Sequence, residues 1–138
     1  MTALPGIALA DWRVQGRDFN FRGQAMRYWT AGAANAEPLL LIHGFPTASW
    51  DWHRLWAPLA EQYRLIACDM LGFGDSAKPR GHAYSLLEQA DLQQALLAHL
   101  GIQGPVHVLA HDYGDSVAQE LLARHHEARI QLASCVFL

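Results

Sequence analysis

The sequence predicts an α/β fold, a mainly parallel sheet with helices on both faces, and three observations carry that expectation. Residues 38–43, 63–68 and 106–110 are short, nearly continuous apolar runs, the pattern of strands buried on both faces of a parallel sheet. The segments between them place apolar residues at helical spacing. Strands and helices therefore alternate along the chain, as βαβ units require.

The elements follow in order. Residues 12–16 and 24–30 alternate weakly and are expected to form two strands joined by a turn, and residues 32–37 are a small, polar loop. After the run at 38–43, Trp52, Leu55, Trp56 and Leu59 stand at i, i+3, i+4 and i+7 and predict one helix. The run at 63–68 leads into a loop, residues 72–82, with three glycines and a proline. Ser85 and Glu88 form a capping box, in which the serine accepts from a free amide and the glutamate reaches back. The helix it opens carries Leu92, Leu96 and Leu100, and Gly101 stops it. Val117, Ala118, Leu121 and Leu122 mark the face of another helix, and residues 132–138 begin a further strand. A natural domain seldom stops inside such a run, which would leave a sheet edge uncovered, so the chain is expected to be incomplete at its C-terminus.

Composition narrows the function classes. The formal charge is −3, with Lys and Arg scattered, so no nucleic-acid or membrane surface is expected. Cys68 and Cys135 lie far apart in apolar runs and read as buried thiols in a reducing compartment. Ala8-Leu9-Ala10 has the look of a signal-peptidase site, but no basic region precedes it and Pro5-Gly6 interrupts the apolar stretch. The expectation is a cytoplasmic protein. His107 and His111 are four apart on a strand, where that spacing does not converge, and His125, His126 and Glu127 lie at a helix end and are expected to be solvated. No metal site is expected. Trp50, Trp52 and Trp56 read as packing residues.

The chemistry gathers at Ala110-His111-Asp112-Tyr113-Gly114, which joins a buried strand directly to a helix. Small residues two before and two after Asp112 give the small-x-nucleophile-x-small pattern of a nucleophile elbow. So tight a turn forces its central residue toward positive φ, which aspartate tolerates, and places the carboxylate at a helix N-terminus. Taken alone, the same aspartate reads equally well as a helix N-cap. A second signal, His43-Gly44-Phe45-Pro46-Thr47, ends the first buried run. Pro46 is read as fixing this loop, a cis bond before it being one way to do so. A third, Asp69-Met-Leu-Gly72-Phe-Gly74-Asp75-Ser76, has glycine spacing like that of a dinucleotide fingerprint. Lys78-Pro79-Arg80-Gly81 follows where that fingerprint needs a helix, so a structural loop is the better reading. Ser76 and Ser116 are not in elbow positions.

With HGFPT, DMLGFGDSAKP and AHDYGD in this order and spacing, the sequence resembles the epoxide hydrolase and haloalkane dehalogenase branch of the α/β-hydrolase superfamily. The likeness runs from Gly23 to Leu138 and is strongest to the mesoderm-specific transcript group, which shares HGFPT and HDYGDxVAQELL. The resemblance implies an α/β-hydrolase fold cut off after about the sixth strand: residues 1–138 would be the N-terminal part of the core domain, without the helical cap. It implies Asp112 as nucleophile and the backbone N–H groups of Phe45 and Tyr113 as an oxyanion hole. His43, Gly44, Pro46, Ala110, His111 and Gly114 would support the site, with His111 not the base.

The implied enzyme needs no cofactor and acts on a small, apolar electrophile through an alkyl ester on Asp112. The histidine base and its acid would lie beyond residue 138, so the chain alone would not turn over. Haloalkane dehalogenases hold the halide with a tryptophan after the nucleophile and a polar residue after His-Gly. Tyr113 and Phe45 stand there, which disfavours dehalogenation and leaves epoxide opening. An acyl hydrolase would need Ser or Cys at 112. The rival of another class is a non-catalytic interaction module on the same fold.

Overall fold

A computed structural model describes residues 2–138. Strand β1 (Arg17–Phe21) and β2 (Gln24–Ala31) form a hairpin, followed by β3 (Glu37–Ile42), β4 (Tyr63–Cys68), β5 (Val106–Ala110) and β6 (Leu132–Phe137). They build one sheet in the order β1-β2-β4-β3-β5-β6. The two hairpin strands run antiparallel, while β4, β3, β5 and β6 are mutually parallel. Helices α1 (Leu9–Gln15), α2 (Trp56–Ala60), α3 (Leu86–His99) and α4 (Tyr113–His126) complete the fold.

Alternation along the strands divides the core into two layers. Leu40, Ile42, Ile66 and Cys68 face α3 and α4, with Leu92, Leu96, Val117 and Leu121 packed on them. Leu39, Leu41, Leu65 and Ala67 face the other way, onto Trp12, Trp52 and Trp56. The buried stretches Leu39–Ile42 of β3 and Leu65–Cys68 of β4 are thus continuously apolar because both faces are covered. β6 lies at the sheet edge with Val136 and Phe137 exposed.

Two expected elements are corrected. Residues 12–16 are not a strand: residues 12–15 belong to α1, Gly16 caps it, and the first strand is β1. Trp12 decides this, because its buried ring stacks on Trp29 at 5.1 Å and meets Trp56 edge-on at 4.9 Å. The helix expected around Trp52 to Leu59 is split into a 3-10 turn, Ser49–Trp52, and α2. Pro58 explains the split: within a continuous helix it would remove a hydrogen bond, whereas in the first turn of α2 none is required. Leu55, between the two pieces, is consequently exposed.

The ends of α3 follow the sequence more closely. Ser85 accepts from Glu88 N–H at 3.1 Å, but the Glu88 carboxylate turns to His82 Nε2 at 2.7 Å and not back to the cap. At the other end Gly101 takes φ +70, and Ile102 N–H reaches Leu97 O at 2.9 Å, closing the helix in a Schellman turn. Two polar residues of this layer are buried and fully used. Gln89 accepts from Leu71 N–H and donates to Leu71 O, at 3.1 and 2.8 Å. Arg124 on α4 ties that helix to α3 through Asp91 at 2.8 Å and Leu87 O at 3.1 Å. His125 is not simply solvated, since its Nδ1 accepts from Leu132 N–H at 3.0 Å. Among the described residues no helix is long and apolar enough to cross a membrane.

Candidate active site

The loops after β3, β4 and β5 meet at the carboxyl ends of the parallel strands, where open α/β sheets bind ligands. Ala110 ends β5, buried, and Asp112 follows with φ 54 and ψ −120. The turn is as tight as its small residues suggested. A Cβ on Gly114 would stand 2.5 Å from His43 O and nearer still to Ile42 O. One on Gly44 would stand 2.5 Å from Asp112 Cβ. Glycine at both positions therefore lets the two loops touch.

Asp112 occupies the N-cap position of α4 but makes no side-chain capping bond. Its Oδ1 instead accepts from Phe45 N–H, 67 residues away in sequence, at 2.9 Å. This bond, first, and the nearby Tyr113 amide, second, hold the carboxyl below its usual range, with His111 adding a smaller push the same way. Asp112 is therefore ionised at neutral pH, and burial keeps the Tyr113 phenol protonated.

The supporting residues divide. His43 is fully buried, with Nε2 accepting from Met70 N–H at 3.0 Å. A backbone amide can only donate, so Nε2 carries no proton and Nδ1–H donates to Gly44 O at 2.9 Å. The Phe45–Pro46 bond is cis. Phe45 is 67% exposed and Phe73 leans on it edge-on at 6.3 Å, with Tyr113 behind at 5.9 Å from Phe73. His111 is exposed and makes no hydrogen bond to Asp112; it lines a cavity of about 390 Å³ with Phe45, Thr47, Asp51 and Trp52. On the other side, Leu71, Gly72, Phe73, Tyr84, Gln89 and Tyr113 line a second cavity of about 340 Å³.

Sequence reasoning missed Asp69. This buried carboxylate accepts from Ser49 N–H at 2.9 Å, from the Ser49 hydroxyl, and from Asp75 N–H at 2.8 Å. It thereby fastens the loop after β3 to the loop after β4. In the sequence it stands directly after a buried run as the first residue of DMLGFGDSAKP, where the glycines and not the aspartate carried the reading. Ser76 is structural, donating to Asp69 O at 2.6 Å and accepting from Arg27 N–H.

Burial holds the His43 pKa below its ordinary 6.5. The unfolded chain therefore takes up a proton at a pH where the folded one does not. Stability should be level above about pH 6.5 and fall as pH drops from there through the lowered folded value. Denaturant midpoints measured over that window should show the fall, and His43→Gln should flatten it. A midpoint that stays level in the native sequence would contradict a neutral, buried His43.

Residues 37–138 match the profile of the alpha/beta hydrolase fold family. The chain belongs to that family. Among curated relatives it is 45% identical over 126 residues to the mesoderm-specific transcript protein of Mus musculus, matching 88% of this chain and 38% of that protein. To the soluble epoxide hydrolase of Corynebacterium sp. (strain C12) it is 41% identical over 96 residues, matching 70% of this chain and 32% of that one. The crystal structure of haloalkane dehalogenase DbeA from Bradyrhizobium elkani USDA94 superposes with a TM-score of 0.79 at 31% identity, covering 88% of this chain and 40% of that one. The chain thus spans about two-fifths or less of the length of these α/β-hydrolase relatives.

Proposed function

We propose that this chain carries the nucleophilic half of an epoxide-hydrolase-like enzyme, with Asp112 as the nucleophile. The hydrogen bond from Phe45 N–H to Asp112 Oδ1 supports this most directly. It commits one carboxylate oxygen to a backbone donor and leaves Oδ2 without a hydrogen-bonded partner among the described residues. Oδ2 is then the attacking atom. It forms a bond to an epoxide carbon, the ring C–O bond breaks, and the released oxygen takes a proton from water.

In the ester that results, Oδ1 is the carbonyl oxygen. Water attacking Cγ develops negative charge on that atom, already facing Phe45 N–H, with the Tyr113 amide beside the same carboxyl group as the second donor of an oxyanion hole. Collapse breaks Cγ–Oδ2, and Oδ2 leaves as the second hydroxyl of a diol. Water needs a base for this step. No histidine among the described residues is bonded to Asp112, so the base is assigned to the part of the enzyme outside these residues, and the chain alone is alkylated once without turnover.

The cavity walls support the substrate class. The cavity of about 340 Å³ beside Tyr113 is mostly apolar, and its one amide, Gln89, is occupied by Leu71. An uncharged apolar substituent fits there. The Phe45 side chain offers no donor to a departing halide, which favours an epoxide over a haloalkane.

Incubation with styrene oxide should add one epoxide mass to the chain, and proteolysis should map it to Asp112. With the longer enzyme in heavy-oxygen water, the label should enter the Asp112 carboxylate. No adduct, or one on another residue, would overturn the assignment.

A further inference from the structure

Residues 4–7 lie across the 3-10 turn Ser49–Trp52, four residues beyond Phe45. Trp50 Nε1 donates to Ile7 O at 2.8 Å, and Ile7 N–H donates to His53 Nδ1 at 3.0 Å. The Arg54 guanidinium donates to Leu4 O at 2.8 Å. The rings of Trp50 and His53 stack at 4.5 Å and 9°. Gly6 runs so close beneath them that a Cβ would stand 2.5 Å from His53 Nδ1. Further on, Arg13 pairs with Asp75 at 3.1 Å, and Asp75 N–H donates to the same Asp69 that holds Ser49.

The loop needs such fastening. Phe45, Pro46 and Thr47 are exposed, and Phe45 N–H has no partner but Asp112. Among the described residues, the loop from Phe45 to Ala48 is tied outside helices and strands by one backbone hydrogen bond, which Ala48 O accepts from Asp51 N–H. Loop geometry is set at its two ends. Gly44 packs on Asp112 at one end, and Asp69 with the N-terminal segment holds the other.

We propose that residues 4–13 are a strap that positions the Phe45 amide against Asp112, with Trp50 and His53 as the positioning residues. The segment lies outside the matched family profile, which begins at residue 37. The use of that amide in catalysis rests on the function proposed above, but its placement by the strap does not.

The test compares three proteins: the chain as it stands, a chain beginning at Ala8, and Trp50→Phe, which keeps the ring but loses the donor to Ile7. NMR reads amide exchange at Phe45 and titration of the Asp112 carboxyl, while styrene oxide reads trapping. With the strap loosened, Phe45 exchange should rise about three- to tenfold, the scale of one lost hydrogen bond. The Asp112 midpoint should move up toward 3.8. Exchange at Leu40 and Ile66 should not change, which a general loss of stability would not allow. Should shortening unfold the chain, Trp50→Phe carries the test alone. Unchanged Phe45 exchange and Asp112 titration would overturn the strap even if trapping is seen. Altered exchange and titration with no trapping in the intact chain would support the strap and overturn the nucleophile.

Discussion

Asp112→Asn should lower the rate of covalent trapping by at least about a thousandfold, the scale on which an enzyme loses its nucleophile. The carboxamide keeps the shape of the side chain, and its oxygen can still accept from Phe45 N–H as Oδ1 does. Asparagine also tolerates the positive φ of 54 that the elbow imposes. What is lost is the anionic Oδ2 and nothing else of comparable size. Intact-mass kinetics with styrene oxide would measure the loss, and thermal melting monitored by circular dichroism would show an unaltered fold. Trapping at an undiminished rate in the asparagine variant would place the reactive group elsewhere.

Gly114→Ala should destabilise the protein by about 3 kcal/mol, lowering the melting temperature by about 10 °C. The direction is the informative part. Gly114 lies in the first turn of α4 without a positive φ, and alanine in a helix is ordinarily favoured over glycine by about 1 kcal/mol. Here the new Cβ would stand 2.5 Å from His43 O, with Ile42 O closer. Both are backbone atoms where β3 leads into the Phe45 loop, so relief requires α4 to move away from the sheet, carrying Asp112 with it. Trapping should therefore fall along with stability. A stabilised Gly114→Ala protein would mean that the elbow is looser than its geometry implies.

The parallel strands and the elbow were legible because each rests on a short-range pattern. A run such as Leu39 to Ile42 has one common explanation, a strand covered on both sides, and Asp112 has small residues, Ala110 and Gly114, two positions to either side for a steric reason. The N-terminal region was not legible in the same way. Residues 12–16 alternate weakly as a strand would, and the helical setting of Trp12 shows only once Trp29 and Trp56 are placed around it, an aromatic contact between residues distant in sequence. Leu55 fitted the helical spacing of its neighbours, but spacing alone does not weigh Pro58 three residues on. Of the site, the placing of the Phe45 amide beside Asp112 was implied by the family resemblance. The carboxylate of Asp69, which joins two loops, did not, because a lone aspartate after a strand has many uses.

Gln89 has a consequence for how this chain tolerates change. Its carboxamide meets both backbone polar groups of one residue, Leu71, in the manner of an added strand. Glutamate would set a carboxylate oxygen against a carbonyl, leucine would strand an amide and a carbonyl in the interior, and asparagine is one methylene too short. On the surface of a helix glutamine is among the most exchangeable of residues. At this position, beneath the loop that carries Gly72 and Phe73, a saturation library should return little besides the parent.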